Sequence, residues 1–164
     1  MILSCVQPSY LAWIPFFKRM IEGDIFVYLD DVQYSKNSFH NRNRIRGKEG
    51  DILLTVPVRY SGNSKAFLCD INIDNNSKWR KKHWLSIEYN YNKCRFFNDI
   101  RPKLWDQIYS KDWNNLSDLN ISLIDFFKDF LEIKTETIRS SDLDIKSHGN
   151  QKLVDMCKLL GADK

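Results

Sequence analysis

The first thirty residues carry the pattern that most constrains the fold. Residues 2–6 form a short apolar run that predicts a buried strand, and Pro8 cannot continue it as a central strand. Residues 13–22 place apolar side chains at intervals of three and four, which predicts a helix that Gly23 ends. Residues 25–29 form a second apolar run. A strand, a loop, a helix and a strand in this order favour a parallel strand pair with a right-handed crossover.

The rest of the chain alternates between strand-like and helix-like segments. Residues 52–58 and 67–73 predict a β-hairpin spanning about 52–73, with the turn-rich residues 60–64 between its strands. A helical second half is predicted by segments that run from a cap at 75–77 to about 90, then at about 98–109, 116–131 and 150–160, with a strand at 133–138. We expect an α/β fold of three layers on a mainly parallel sheet, with residues 1–164 forming a single domain.

Composition limits the classes of function. The hydrophobic share of 43% and the charged share of 28% are ordinary for a globular protein. The net charge of +4 comes mainly from residues 36–48 and 78–82, which favours an anionic ligand or carrier over nucleic acid. The cysteines are scattered without a CxxC pair, so neither a disulfide framework nor a zinc site is indicated. No signal peptide or membrane-spanning run is recognisable, and we expect a cytoplasmic protein.

Residues 30–46 are the segment most indicative of ligand binding. Two carboxylates, Asp30 and Asp31, follow the second predicted strand. Charged, amide, phenol and imidazole groups come next, at Gln33, Tyr34, Lys36, His40, Asn41, Arg42, Asn43, Arg44 and Arg46. Because guanidinium groups suit phosphate or carboxylate and amides suit neutral polar groups, the segment predicts a loop that binds a polar, anionic ligand. A basic surface hairpin without a ligand is the alternative.

The predicted topology gives this loop a place in the fold. In an open α/β sheet, ligands bind beyond the carboxyl ends of the strands. If the first two strands are parallel neighbours, residues 7–13 and 30–46 open onto the same edge, where the amino end of the first helix adds backbone N–H donors. Gln7, Tyr10 and Trp13 therefore join the candidate substrate-binding residues. Tyr10 and Trp13 could stack on a sugar or base, or pack in the core.

Side-chain alternation predicts the orientation of residues 41–44. On an extended segment, Arg42 and Arg44 share one side and Asn41 and Asn43 share the other. One pair would then clamp an anion, while the other pair faces the protein or a neutral part of the ligand.

The candidates for catalysis each have a structural alternative. Asp30 and Asp31 could ligate Mg²⁺, and either could act as a base, but capping or pairing with an arginine explains them equally well. His83, on the apolar face of a predicted helix, is a catalytic base or a hydrogen-bonded core histidine. His40 is a further acid or base candidate. Cys5 could be a nucleophile, although a buried free cysteine is commoner.

Several known chemistries lack their motifs. The sequence has no G-x-x-x-x-G-K-[ST], G-x-G-x-x-G or G-x-S-x-G. The strand, Pro8 and helix at the start, with Ser140 and Ser141 late in the chain, are similar to nucleotidyltransferases. The paired histidines that those enzymes use are absent from residues 9–13, so nucleotidyl transfer stays a third hypothesis by fold analogy.

Several segments taken together resemble the WbqC-like family. In chain order they are Gln7-Pro8-Ser9-Tyr10-Leu11-Ala12-Trp13, Phe16-Phe17, Asp24-Ile25-Phe26-Val27, Leu29 to Lys36, Asn41 to Ile45, Leu54 to Val58, Trp79, His83-Trp84, Tyr91, Leu116, Asn120, Ser140-Ser141 and Leu159 to Ala162. Family members are typically encoded among bacterial surface-polysaccharide genes, and some are described as glycine transferases. Ala12 and Pro15 depart from the family pattern, and family members usually run on beyond the position of Lys164.

The resemblance implies an enzyme of O-antigen biosynthesis that acylates or aminoacylates the amine of a nucleotide-linked deoxyamino sugar. Lys36, Arg42 and Arg44 would hold the diphosphate, and Asn41 and Asn43 would contact sugar hydroxyls. Asp31 or His83 would be the base. The donor would be an acyl thioester on CoA or an acyl carrier protein, with no bound cofactor or metal and no nucleic acid as partner. A sugar-nucleotide-binding or scaffold module without chemistry is the alternative, and a homodimer is left open.

Overall fold

The structure, a computed structural model, describes residues 1–60 and 65–163. Its strands are β1 (Leu3–Val6), β2 (Ile25–Tyr28), β3 (Arg42–Arg46), β4 (Asp51–Thr55), β5 (Val58–Arg59), β6 (Asn72–Ile73) and β7 (Glu136–Arg139). Its α-helices are α1 (Ile14–Glu22), α2 (Trp79–Tyr91), α3 (Phe97–Leu104), α4 (Leu116–Phe130) and α5 (Gly149–Leu160). A π-helix (Trp105–Tyr109) continues α3, and short 3₁₀ turns lie at Leu68–Asp70 and Ser140–Asp142.

A parallel sheet in the order β1-β2-β7 organises the fold. Leu3 pairs with Ile25, and Ile25 in turn pairs with Glu136, so the carboxyl ends of the three strands meet at one edge. The central position of β2 explains its continuous apolar run, since parallel strands are covered on both faces. The predicted mixed α/β class and the parallel β1–α1–β2 unit are confirmed.

Two apolar clusters form the core. In the smaller one, Phe16 and Met20 of α1 pack with Phe26 of β2 and Ile124 of α4. The larger one lies between the β3–β4 hairpin, α2, the π-helix and α4. Helix α4 contributes to both clusters, so it ties the sheet to the helical second half.

The predicted hairpin at about 52–73 is corrected. Strand β4 pairs with β3, and the predicted partners 52–58 and 67–73 meet only through the two-residue strands β5 and β6. The tight turn between β3 and β4 explains the real pairing, because Gly47 has no room for a Cβ beside the Gly50 carbonyl and Gly50 has a φ of 143°. Residues 61–64 of the predicted turn lie outside the described residues.

Most predicted helix positions are confirmed within a few residues. The cap expected at 75–77 is wrong, since α2 begins at Trp79 after Lys78, which makes no side-chain cap bond. The helix predicted at 98–109 is α3 followed by the π-helix. Within the described residues, no helix has both the length and the apolarity needed to cross a membrane.

Candidate functional site

A cavity of about 790 Å³ opens at the carboxyl ends of β1 and β2. Its walls come from the end of β1, the loop that follows it, helix α1, and the segment before and into β3. The residues that line it are Cys5, Val6, Gln7, Ser9, Trp13, Phe16, Arg19, Leu29, Ser38, Phe39, His40 and Asn43. The volume lies in the range of small-molecule sites, and mainly apolar walls with a few polar groups are typical of them.

Hydrogen bonds join the two loops at this edge into one unit. The Asn43 amide donates to the Tyr10 carbonyl at 3.1 Å and to the Leu11 carbonyl at 2.8 Å. The Tyr10 amide donates to the Phe39 carbonyl at 3.0 Å. The buried side-chain amide of Asn120 in α4 donates to the backbone carbonyls of Pro8 and His40. These bonds hold the cavity walls in place before any ligand binds.

His40 orients Gln7 in the cavity wall. The Ser35 backbone N–H donates to His40 Nδ1 at 3.3 Å, so Nε2 carries the ring proton and donates it to Gln7 Oε1 at 2.8 Å. Burial lowers the pKa of His40, which agrees with this neutral form. With Oε1 occupied, the Gln7 amide nitrogen has no partner within the described residues and can donate to a ligand.

Arg19 is a cavity residue that the sequence did not single out. It follows Phe16 by three positions on α1, which places both on the same side of the helix. No ion pair or hydrogen bond holds its guanidinium within the described part of the chain. Burial raises the pKa of the nearby Cys5 thiol, an effect that Arg19 opposes, so Cys5 is a protonated thiol rather than a ready nucleophile.

Two aromatic rings stand at the cavity mouth. Trp13 is 67% exposed and Phe39 is 66% exposed. Both side chains line the cavity, so their exposed rings are available for contact with a ligand there. Stacking by Trp13 stays a prediction, whereas Tyr10 is fully buried and its hydroxyl group lies in the core.

Asp30 and Asp31 lie at the same sheet edge, within an aspartate cluster formed with Ser140, Ser141 and Lys152. Asp30 accepts from the Ser141 N–H at 3.0 Å and from the Ser141 hydroxyl at 2.9 Å. Asp31 accepts from the Ser140 hydroxyl and pairs with the buried Lys152 of α5. Neither aspartate lines the cavity, and the role of Asp31 as a base stays a prediction.

His83 belongs to a buried chain of hydrogen bonds. Its Nδ1 lies 2.8 Å from the Tyr10 hydroxyl, which lies 2.9 Å from the Tyr109 hydroxyl. Burial lowers the pKa of His83 to about 4, and the Thr55 backbone carbonyl opposes this effect only in part. His83 does not line the cavity, so these contacts favour the core-histidine alternative, and the catalytic role stays a prediction.

The arginines of β3 point away from the cavity that Asn43 lines. Arg42 donates to the Asn37 carbonyl, and exposed Arg44 lies 3.9 Å from Asp51. Asn41 is buried and donates to the Val56 carbonyl at 2.9 Å. Alternation along β3 therefore separates the amides from the guanidiniums as expected, with the amides bonded to protein.

The remaining predicted binding residues also lie outside the cavity lining. Tyr34 is buried against Tyr60, while Gln33 and Lys36 are exposed. Across the described residues, no group of three or more His, Cys, Asp or Glu side chains is placed to hold a metal ion.

Comparisons with known proteins identify the family. A profile of the WbqC-like protein family matches residues 7–164. A Mycobacterium tuberculosis protein with the name uncharacterized protein Rv1507c is 31% identical over 160 residues, which cover 98% of this chain and 69% of that protein. No solved structure matches at a significant level. The chain belongs to the WbqC-like family.

Proposed function

We propose that this member of the WbqC-like family binds a nucleotide-linked deoxyamino sugar in the cavity and transfers an acyl or aminoacyl group to the sugar amine. The product would enter bacterial surface-glycan (O-antigen) biosynthesis in the cytoplasm. The single observation that carries the proposal is that the cavity combines apolar walls with two unpartnered donors, the Gln7 amide and the Arg19 guanidinium. Such a combination suits a ligand with both a ring system and a negatively charged part.

The two donors, Arg19 and Gln7, contact different parts of the ligand in this proposal. Arg19 presents a planar fork that suits the diphosphate, and Trp13, which precedes the first residue of α1, also lines the cavity. Gln7 donates to the sugar or to the acyl carbonyl oxygen, and Trp13 offers a ring for stacking. This assignment gives Arg19 the role that the sequence predicted for Lys36, Arg42 and Arg44.

The transfer needs the amine to be neutral when it attacks. Its nitrogen forms a bond to the thioester carbonyl carbon, the carbon–sulfur bond breaks, and the proton from nitrogen ends on the departing sulfur. A thiolate with a pKa of about 8.5 is basic enough to take that proton. The developing oxyanion would be stabilised by the Gln7 N–H, which His40 holds in place. No carboxylate is required in this scheme.

The test is a direct search for product. The purified chain is incubated with dTDP-4-amino sugars and with acyl or aminoacyl thioesters of CoA and of a carrier protein. The masses of the sugars are then measured by mass spectrometry. We expect the mass of one of the sugars to increase by the mass of one acyl group. Gln7→Leu should slow the reaction at least tenfold, because it removes an oxyanion donor. Gln33→Leu is the matched control, since Gln33 lies outside the cavity lining. No mass gain with any pair would contradict the proposal.

One observation favours a second candidate, a sugar-nucleotide-binding module without chemistry. Among the titratable residues that line the cavity, Cys5 is held protonated and His40 has both ring nitrogens in hydrogen bonds, so neither is a free base. Calorimetry separates the candidates. Binding of a dTDP sugar that is recovered unchanged with every thioester supports the binding module and rejects the transferase.

A further inference from the structure

A second surface feature lies away from the cavity, on the face of α2 and α3. Three shallow hollows follow one another there, with volumes of about 460, 450 and 360 Å³. Tyr89 lines the first and second hollows, and Glu88 and Arg101 line the second and third. Because neighbouring hollows share wall residues, they lie side by side, and we call this row of hollows from the β3–β4 turn across α2 to the π-helix the groove.

Aromatic rings mark both halves of this groove. Tyr89 is 62% exposed, and Lys48 Nζ lies 4.0 Å from its ring centroid, which restrains the ring by a cation–π contact. Trp105 is 36% exposed and rests on Trp84, with ring centroids 5.1 Å apart. Both rings are thus held by the protein while part of their surface remains open.

Planar polar groups lie between the rings. Arg101 donates from both Nε and Nη2 to Glu88 Oε1, so Glu88 Oε2 and Arg101 Nη1 have no partner within the described residues. The exposed amides of Asn92 and Asn98 border the same hollow. Each group can donate to or accept from a pair of neighbouring hydroxyls.

We propose that this groove binds a chain of neutral sugars. A sugar ring has an apolar C–H face and a rim of hydroxyl groups, and the groove alternates open aromatic rings with planar donors and acceptors to match. The lining contains the carboxylates Glu49, Asp51, Glu88 and Asp106 against the cations Lys48 and Arg101, which disfavours a polyanion. Polar groups interrupt its apolar surface, whereas the centre of a protein interface is depleted of charge. The groove is independent of the cavity and of the transferase proposal.

The test uses the full chain and three defined probes, cellohexaose, maltohexaose and a linear mannohexaose. The fluorescence of the five tryptophans detects binding, and backbone amide NMR shifts locate the bound sugar. We expect at least one probe to bind with shifts confined to α2, α3 and the β3–β4 turn. Tyr89→Ala should weaken that binding about fivefold, the scale of one aromatic stacking contact. Asn98→Ala tests the groove without removing a ring.

Phe130→Ala removes an exposed aromatic ring outside the groove and should leave binding unchanged. Trp105→Ala is a weaker test, because Trp105 also packs on Trp84. The proposal is overturned if none of the three probes binds, if the shifts map to the cavity, or if Tyr89→Ala and Asn98→Ala both bind as tightly as the unchanged chain. Tighter binding of heparin than of every neutral probe to the same residues overturns it as well.

Discussion

Two groups of polar side chains lie at the carboxyl edge of the same sheet, and they differ in how fully they satisfy one another. In the aspartate cluster, Asp30 and Asp31 each accept hydrogen bonds from protein donors, and Lys152 neutralises one of them. In the cavity, Gln7 and Arg19 keep donors without partners in the described residues. Polar groups that are bonded to each other stabilise the fold, while donors left open in a concave site are available to a ligand.

The largest expected effect comes from breaking the aspartate cluster. Lys152→Met removes the cation from a pair in which the lysine side chain is only 7% exposed and leaves the Asp31 charge unpaired. We expect a loss of about 4 kcal/mol in the free energy of unfolding, the scale for half of a buried ion pair. Urea denaturation measures it.

The control for this prediction is a matched exposed pair. Lys146→Met breaks the ion pair with Asp144 on the surface, and we expect no measurable change in stability. Affinity for a sugar nucleotide should survive in any Lys152→Met protein that remains folded. A stable Lys152→Met protein with lost affinity would place the aspartate cluster in the site and reverse the comparison.

The next effect is a pH dependence caused by His83. An unfolded histidine titrates near 6.5, whereas the pKa of His83 in the fold is about 4, so the unfolded chain binds the proton first as the pH falls. The stabilising contribution is complete above pH 6.5 and is lost as the pH falls to about 4. The difference corresponds to about 3 kcal/mol. Unfolding free energies measured across this range test it.

Comparison of variants isolates His83 from other groups. The pKa of His40 is also lowered, so His40 adds to the slope in the same direction. His83→Gln should flatten the slope, and exposed His148→Gln should leave it unchanged. An unaltered slope in His83→Gln would mean that burial does not keep the His83 ring neutral.

The contrast between the two groups also explains what the sequence predicts well. The β1–α1–β2 unit depends on local signals, namely two apolar runs, Pro8 and Gly23, and the place of the cavity follows from strand direction. Lys152 and Asp31 are separated by 121 residues in the sequence, so no local pattern predicts their ion pair. The β3–β4 pairing was missed because the basic residues of β3 were assigned to a ligand loop.

Arg19 was missed for a different reason. A single arginine on a helix gives no pattern, and only its position three residues after Phe16 links it to the cavity side of α1. Arg42 and Arg44 were predicted to bind the ligand because they lie in a segment with a high density of charge. Side chains alternate along β3, however, so both arginines lie on the face opposite to Asn43. Density of charge was therefore a poorer guide to the cavity than helix and strand periodicity.

The ligand-binding role of the cavity is tested at Arg19. Arg19→Gln should weaken binding of a dTDP sugar by about 2 kcal/mol, the scale of a charge-assisted hydrogen bond, without changing the melting temperature. Lys18→Gln is the matched control, because Lys18 lies next in sequence and pairs with Glu22 outside the cavity. Calorimetry measures both. Equal losses in the two variants would show a general charge effect rather than a contact from Arg19.

The smallest expected effect separates Arg42 from Arg19. Arg42 donates to the side-chain and backbone oxygens of Asn37, a residue with a φ of 61°, so its guanidinium holds the loop that precedes β3. Arg42→Lys keeps the charge but loses the fork, and we expect stability to fall by about 1 kcal/mol with sugar-nucleotide affinity unchanged. Exposed Arg46→Lys, on the same face of β3, should change neither quantity. If Arg42→Lys instead weakens binding and leaves the melting temperature intact, the anion lies on the outer face of β3, and the cavity is not where the diphosphate binds.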